Sequence, residues 1–292
     1  MIDGFLRYLR HERNYSELTV LAYERDLRDF ASYLNGMEGD LSWSDVDADM
    51  VRGWMEQMMD KGNSATSVNR RLSALRSFYR YAMGAGMLSK NPAHAIEGPK
   101  KKKPLPCFVK EKEMDDLLEP EMWEEDFASL RARTILLVFY STGIRLSELI
   151  GLDDDMVDLE KGELKVHGKR DKQRIIPFGE EMREAIEGYM TRRNAEICSM
   201  CDALFVTDKG ERMNRNKVRY EVVKALSRVT TQQKRTPHVL RHTFATAMLN
   251  HDAGIESVKK LLGHESMTTT EIYTHATFEQ LKRVYNSAHP RA

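Results

Sequence analysis

The sequence predicts a mainly α-helical protein in two parts: an N-terminal bundle of four helices, then a mixed, mostly helical domain with a small β-sheet. Three observations predict it. In the first hundred positions apolar residues recur at intervals of three and four, the period of one helix face. The stretch GPKKKKPLP, residues 98–106, then breaks the pattern, because its prolines and glycine deny it a helix or a central strand. Beyond it, helical spacing is interrupted by two short runs around GKRDK, which read as a hairpin.

The elements follow in order. Ile2, Phe5, Leu6 and Leu9 mark the first helix, and Val20, Tyr23, Leu27, Phe30 and Leu34 the second. Val51, Trp54, Met55 and Met58 mark the third, with Met55, Met58 and Met59 expected to fill the core. Val68, Leu72, Leu75 and Tyr79 mark the fourth, capped near Ser64, whose hydroxyl can accept from a free N–H of the first turn. Four adjacent lysines, Lys100, Lys101, Lys102 and Lys103, repel one another and keep the break extended. The predicted division is therefore 1–98 as the first domain, 99–108 as a basic linker and 109–292 as the second. In the second, residues 127–142 are an apolar helix that Gly143 ends, and 144–150 resume helical spacing. Residues 163–167 and 173–178 are strands, 180–196 a helix and 203–206 a further strand. Helices are expected over 214–228, 238–250, 255–262 and 268–275, and an amphipathic segment over 278–288 ends the chain.

Composition narrows the class. The longest apolar run, residues 135–140, is far too short to span a bilayer, and acids and bases interrupt the first residues, unlike a secretory signal. A cytoplasmic protein is expected. Cys107, Cys198 and Cys201 are an odd set, so no disulfide framework is expected. CSMC has CxxC spacing but no second pair to complete a zinc site. The 45 Lys and Arg balance the 45 Asp and Glu, yet the charges are blocked. Residues 37–60 hold seven acids and one base, and 111–126 hold nine acids and one base. Residues 62–103 hold nine bases and one acid, and 209–241 hold ten bases and two acids. Such blocks give a neutral protein strongly positive surfaces, which a polyanion requires.

The chemistry gathers in the second domain. TPHVLRHTFAT puts His238 and Arg241 in one turn if Pro237 opens the helix. Free N–H groups there favour an anion, an arginine fork matches two phosphate oxygens, and histidine can hydrogen-bond or move a proton. These residues suit one phosphate. His242 is expected to be a packed, hydrogen-bonded core histidine. TGIRLSEL adds Arg145 just after the break at Gly143, with Glu148 three residues on to orient it. GKRDK sets Lys169 at a hairpin tip, and LLGHESMTTTEIYTH adds His264 and Tyr273. Singly, each has an ordinary structural reading; together, in this order, they are rare.

Arg145, Lys169, His238, Arg241, His264 and Tyr273 match one by one the catalytic set of the tyrosine recombinases, or phage-integrase family. TGIRLSEL, GKRDKQRIIPF, HVLRHTFAT, LLGH and TTTEIYTH resemble its signature blocks, and NRRLSALRSFYRY resembles its core-binding domain, a SAM-like helical bundle. Within the family the resemblance is to the Xer recombinases, and it spans nearly the whole chain. The hairpin departs from the common Xer pattern at Arg170, where a glycine is usual.

The resemblance implies a site-specific DNA recombinase. Tyr273 attacks the scissile phosphate, leaving a 3′-phosphotyrosine and a free 5′-hydroxyl, so bond energy is stored and no nucleotide cofactor is expected. Arg145 and Arg241 clamp the non-bridging oxygens, so no metal is expected either. His238 and His264 hydrogen-bond the phosphate, with His238 a candidate acceptor for the phenol proton, and Lys169 protonates the leaving oxygen. A free phenol ionises about three units above neutral pH, a cost of about 4 kcal/mol that nearby cations lessen. The two domains are expected to grip duplex DNA as a clamp. Arg70, Arg71 and Arg76 lie on a helix of the first domain, Arg215, Lys217 and Arg219 open one in the second, and the lysine strap joins them. Nineteen residues follow Tyr273, and the stripe Phe278, Leu281 and Val284 is expected to pack on a neighbouring subunit of a homo- or heterotetramer, because a short stripe buries little in cis. The core-binding helices begin almost at the first residue, so no arm-binding domain is expected.

Three other readings differ in what they require. A zinc enzyme would use the HxxxH spacing of His238 and His242, but Val239 stands where a zinc peptidase needs its glutamate base. A DNA-binding protein without catalysis has no need of Tyr273. A type IB topoisomerase shares the phosphotyrosine chemistry but not the Xer-like first domain and tail.

Overall fold

The computed structural model describes residues 1–37, 41–101, 107–168, 173–263 and 275–292. The chain divides into two compact units, Met1–Pro104 and Leu105–Ala292, each with its own hydrophobic core.

In the first unit the predicted helices form as α1 (Ile2–His11), α2 (Glu17–Asn35), α3 (Ala48–Asp60) and α4 (Ala65–Gly84). Three begin on side-chain caps: Ser16, Asp47 and Ser64 accept from the N–H groups of Thr19, Met50 and Ser67. Each cap satisfies a donor that the first turn leaves free. The core is aromatic, with Phe5 edge-on to Phe78 at 5.7 Å and Phe30 edge-on to Trp54 at 4.8 Å. Met58 joins this core, but Met59 is 43% exposed. Val51, Trp54 and Met58 set the inward face of α3, and Met59 lies about 100° further round the helix.

The second unit is built on α6 (Phe127–Thr142), which is buried along most of its length. Packed against it are α8 (Glu180–Glu196), α9 (Arg215–Leu226) and α10 (Pro237–Asn250), and α5 (Glu111–Leu118) also touches it. The remaining helices are α7 (Leu146–Ile150), α11 (Ile255–Leu262) and α12 (His275–Ala288). The sheet is antiparallel in the order β1 (Val157–Asp158), β2 (Glu163–His167), β3 (Gln173–Pro177). Its register sets Leu164 opposite Ile176 and Val166 opposite Arg174. These four side chains are buried while Ile175 faces out, the alternation a one-sided sheet requires.

Two elements differ from the sequence reading, and a third falls largely on residues that are not described. The helix α5 was hidden inside an acidic run, although its Met114, Leu117 and Leu118 are spaced for one face and all are buried. Residues 203–206 form no strand; Ala203 and Val206 make single bridges to Asp153 and Arg212. All four are buried, so burial rather than pairing explains their apolar character. Residues 268–274 of the expected helix 268–275 lie outside the described residues.

The premise that the C-terminal stripe buries little in cis does not hold. Phe278, Leu281, Tyr285 and Ala288 are buried on the chain's own second unit, where α12 meets α10, α11 and β3. Beyond the helix, His289 stacks on Tyr285 at 5.0 Å and bonds the Tyr140 carbonyl at 3.1 Å. Arg291 pairs with Asp115 and Glu181, and the final residue lies against Gly179, where a Cβ would meet the Ala292 carbonyl carbon. The stripe buries more in cis than three residues suggest, because aromatic and charged contacts extend it to the last residue. No helix among the described residues is long and apolar enough to cross a membrane.

Candidate active site

The site begins where α6 stops. Gly143 ends the helix in a left-handed conformation, φ 61°, and any Cβ there would lie 2.5 Å from the Phe244 ring and 2.8 Å from Leu262. Only glycine lets the chain turn so close to α10 and α11. The turn delivers Arg145 to the start of α7. Its backbone N–H donates to Glu148 Oε2 at 2.8 Å and its Nη1 to Oε1 at 2.8 Å. Glu148 is buried, which opposes ionisation, but its bonds with Arg174 and Arg145 prevail and hold its carboxyl down at about 2. Glu148 therefore holds the Arg145 backbone and guanidinium by one hydrogen bond each.

Arg241 projects from the second turn of α10 and is buried. It donates to the Gly143 carbonyl and to the Leu262 carbonyl, both at 2.7 Å. Arg145 Nη2 donates to the next carbonyl, Gly263, at 3.0 Å, and Arg174 Nε donates to the preceding one, Leu261, at 3.0 Å. Three consecutive carbonyls at the end of α11 thus receive three arginines. A helix leaves its last carbonyls unpaired and carries partial negative charge there, so α11 supplies a seat for cations. Burial, then the neighbouring Arg145, lower the Arg241 guanidinium to about 10, still charged at neutral pH.

Arg145 keeps 40% of its side chain exposed, and together with Arg241 and His238 it lines a cleft of about 440 Å³. Arg215 and Arg219 of α9 line the same cleft, with Ser147 and the apolar Ile144, Leu146 and Pro237. Buried Arg131 on α6 holds α9 in place through Glu221 at 2.7 Å and the turn before it through Asp208 at 2.6 Å. His238 stands exposed beside the cleft, and partial desolvation, then His242 and Arg241, hold its imidazole below the usual histidine range. It is therefore mostly neutral at pH 7 and able to accept a proton. His242 is half-buried, its ring edge-on to His238 at 4.5 Å, not the hydrogen-bonded core histidine of the sequence reading. Four guanidinium groups on one cleft, with the Glu148 charge already met by Arg174, make a site for an anion with several oxygens.

Of the six expected catalytic residues, Arg145, His238 and Arg241 thus share one cleft. Lys169, His264 and Tyr273 lie outside the described residues, as do Lys102 and Lys103. Lys100, Lys101, Arg215, Lys217 and Arg219 are exposed. The basic residues of α4 are more committed. Arg70 pairs with buried Asp26, Arg71 with Asp29 at 2.9 Å, and Arg76 donates to the Ala93 carbonyl at 2.9 Å and to that of Ile96. Arg174 was missed, though it carried a signal: in QRIIP it holds an inward position of an alternating strand, and a charge there requires a buried partner. Cys201 has its sulfur 3.8 Å from the Gly210 carbonyl and Cys198 is exposed. Among the described residues no group of three or more His, Cys, Asp or Glu side chains is placed to hold a metal ion.

Comparison with known proteins places the chain in a family. The phage integrase family domain matches residues 108–280, and the N-terminal SAM-like domain of phage integrases matches residues 2–86. The chain belongs to the phage integrase family, the tyrosine recombinases, and is of the Xer type: an enzyme of site-specific DNA recombination. It is 40% identical to tyrosine recombinase XerC of Azotobacter vinelandii, over all of this chain and 96% of that one. It is 38% identical to XerC of Chlorobaculum tepidum, over all of this chain and 94% of the other. In fold it resembles the XerH site-specific recombinase bound to a palindromic difH substrate, with a TM-score of 0.74, 21% identity, and coverage of 97% and 83% of the two chains.

Proposed function

We propose that the cleft holds the scissile phosphate of a DNA strand and that Tyr273 attacks it. The phenol oxygen forms a bond to phosphorus as the bond to the 5′-oxygen breaks. The phenol proton passes to His238, and Lys169 gives a proton to the departing 5′-oxygen. Arg145 and Arg241 take the non-bridging oxygens, whose charge grows in the transition state, and His264 hydrogen-bonds the same group. The incoming 5′-hydroxyl of the partner strand then reverses the step and seals the exchanged strand. Two such rounds pass through a Holliday junction. The observation that carries this reading is the pairing of Arg145 and Arg241 across one cleft, each guanidinium fixed on a carbonyl at the end of α11 and adjacent to His238.

The partner is a double-stranded recombination site, as it is for the relative whose fold this chain shares. Residues 1–98 are proposed to bind the core of that site, 99–108 to cross its backbone and 109–292 to carry the chemistry. Arg215, Lys217 and Arg219 at the start of α9 would meet phosphates or bases of the same strand, and Lys100 to Lys103 the backbone between the units. A cytoplasmic enzyme acting in a homo- or heterotetramer, with α12 passed from its cis seat to a neighbour, completes the proposal. Dimer resolution of chromosomes, the role suggested by the XerC relatives, and excision or integration of a mobile element are the two biological settings it fits.

The test uses genomic fragments that the protein enriches, rebuilt as nicked duplexes and resolved on denaturing gels. A covalent 3′-adduct that survives chelator and disappears in Tyr273→Phe supports the proposal. An adduct that persists in Tyr273→Phe, or cleavage abolished by chelator, removes it. Strand exchange between two sites separates a recombinase from a topoisomerase.

A further inference from the structure

We propose that Arg174 is a positioning residue for strand cleavage, acting through Glu148 to hold Arg145 on the phosphate. This rests on the reading of Arg145 as a phosphate clamp. Arg174 is itself too buried to touch DNA, with 7% of its side chain exposed. Its Nη1 and Nη2 donate to Glu148 Oε1 and Oε2 at 2.9 and 2.8 Å, a two-point grip that fixes the plane of the carboxylate. The same two oxygens take the Nη1 and the backbone N–H of Arg145. Glu148 is therefore a four-bond hub, and one half of it belongs to Arg174.

Charge makes the case as strongly as geometry. A buried carboxylate beside Arg145 alone would compete with phosphate for that guanidinium. Arg174 answers the Glu148 charge and leaves the Arg145 charge for substrate. Position adds a second link. Arg174 lies on β3, the strand that returns from the hairpin carrying Lys169, and its Nε donates to the Leu261 carbonyl of α11. Gly263 turns through the left-handed region, φ 64°, with its Cβ position 3.1 Å from Arg174 Nη1. One side chain thus ties the hairpin strand, the Arg145 turn and the end of α11 to each other, so its loss loosens the relative placement of three catalytic blocks.

The experiment measures single-turnover adduct formation by the full-length protein on the nicked duplex at saturating DNA. The variants are Arg174→Gln, Arg174→Lys, Arg145→Lys and the Arg174→Lys/Arg145→Lys pair. Arg174→Gln leaves Glu148 buried without its main partner and can unfold. Arg174→Lys keeps the charge and removes only the fork, so it keeps the test open. Arg174→Lys is expected to cleave about 10-fold slower and Arg174→Gln, where folded, up to about 100-fold slower, the scale of a misplaced catalytic group. DNA affinity should stay within about 3-fold. In the Arg145→Lys background the Arg174→Lys change should cost less than about 3-fold, because residues acting as a unit are not additive. Parental cleavage by folded Arg174→Lys, or losses that multiply in the pair, would overturn the proposal. Parental cleavage by Arg145→Lys would instead overturn the reading of the site, and this proposal with it.

Discussion

Arg241 donates one N–H to the carbonyl of Gly143 at 2.7 Å, and this bond joins α10 to the left-handed turn that ends α6. A second donation, to Leu262, uses the other arm of the same guanidinium. The fork therefore spans two helix ends, while its buried position still borders the cleft. A lysine has one compact charge and no fork. Arg241→Lys is expected to bind DNA within a few-fold of the parent but to form the 3′-adduct at least about 100-fold more slowly, as for loss of a donor to a developing oxyanion. Single-turnover cleavage beside a binding titration checks this, and a loss confined to affinity would refute it.

Gly143 should be as sensitive, by another route. Alanine at this position meets both a left-handed backbone and side chains of Phe244 and Leu262 closer than van der Waals contact. The conformational cost is about 1 kcal/mol and overpacking adds about 1–3 kcal/mol. For a unit of this size that lowers the melting temperature by about 4–16 °C. Cleavage should fall with it, because the Gly143 carbonyl is an anchor of Arg241. A Gly143→Ala protein that melts and cleaves like the parent would show that the turn has room to spare.

Basic residues on α9 and α4 look alike in the sequence but should behave differently. Arg215 and Arg219 are exposed on the cleft wall, free to release counterions from DNA. Each change to alanine should reduce the slope of log affinity against log salt by about 1, with little effect on melting. Arg76 instead bonds the carbonyls of Ala93 and Ile96. Arg76→Ala should destabilise the first unit by about 1–3 kcal/mol and leave the salt slope nearly unchanged. Titrations at several salt concentrations, with thermal melts, separate the two groups.

What the sequence made legible follows from the same contrast. Helices such as α2 and α4 were readable because their inward faces repeat at three and four, Ser64 announced a start, and α6 was readable as an apolar run ended by Gly143. Arg145, His238 and Arg241, which share one cleft, were readable as candidates because each sits in a distinctive short motif. The helix α5 was not, since its three core residues are outnumbered by acids on the solvent side. Nor was the seating of three arginines on Leu261, Leu262 and Gly263 readable. Carbonyls carry no sequence identity, and the approach of α6, α7, β3 and α10 to the end of α11 is a product of tertiary packing. Arg76 illustrates the converse: periodicity places it on a helix but says nothing of carbonyls seventeen and twenty residues away.

The buried terminus should make stability depend on acidity. His289 bonds the Tyr140 carbonyl through Nε2 and accepts from the Arg291 N–H through Nδ1 at 3.1 Å, which fits the neutral ring alone. Burial is the main cause, with Arg291 adding to it, of a folded-state value lowered to about 4, against about 6.5 in the unfolded chain. Between these values the unfolded state binds more protons, so stability rises with pH across the window. The contribution is fully present above about 6.5 and is lost as pH falls towards 4, to a limit of about 3 kcal/mol. His289→Gln keeps a donor and an acceptor but does not titrate. Hydrogen exchange of the α6 and α12 amides, corrected for intrinsic rates, should show protection falling from pH 7 to pH 4.5 in the parent and a flatter profile in the variant. Parallel profiles would mean that the acid sensitivity of this unit arises elsewhere.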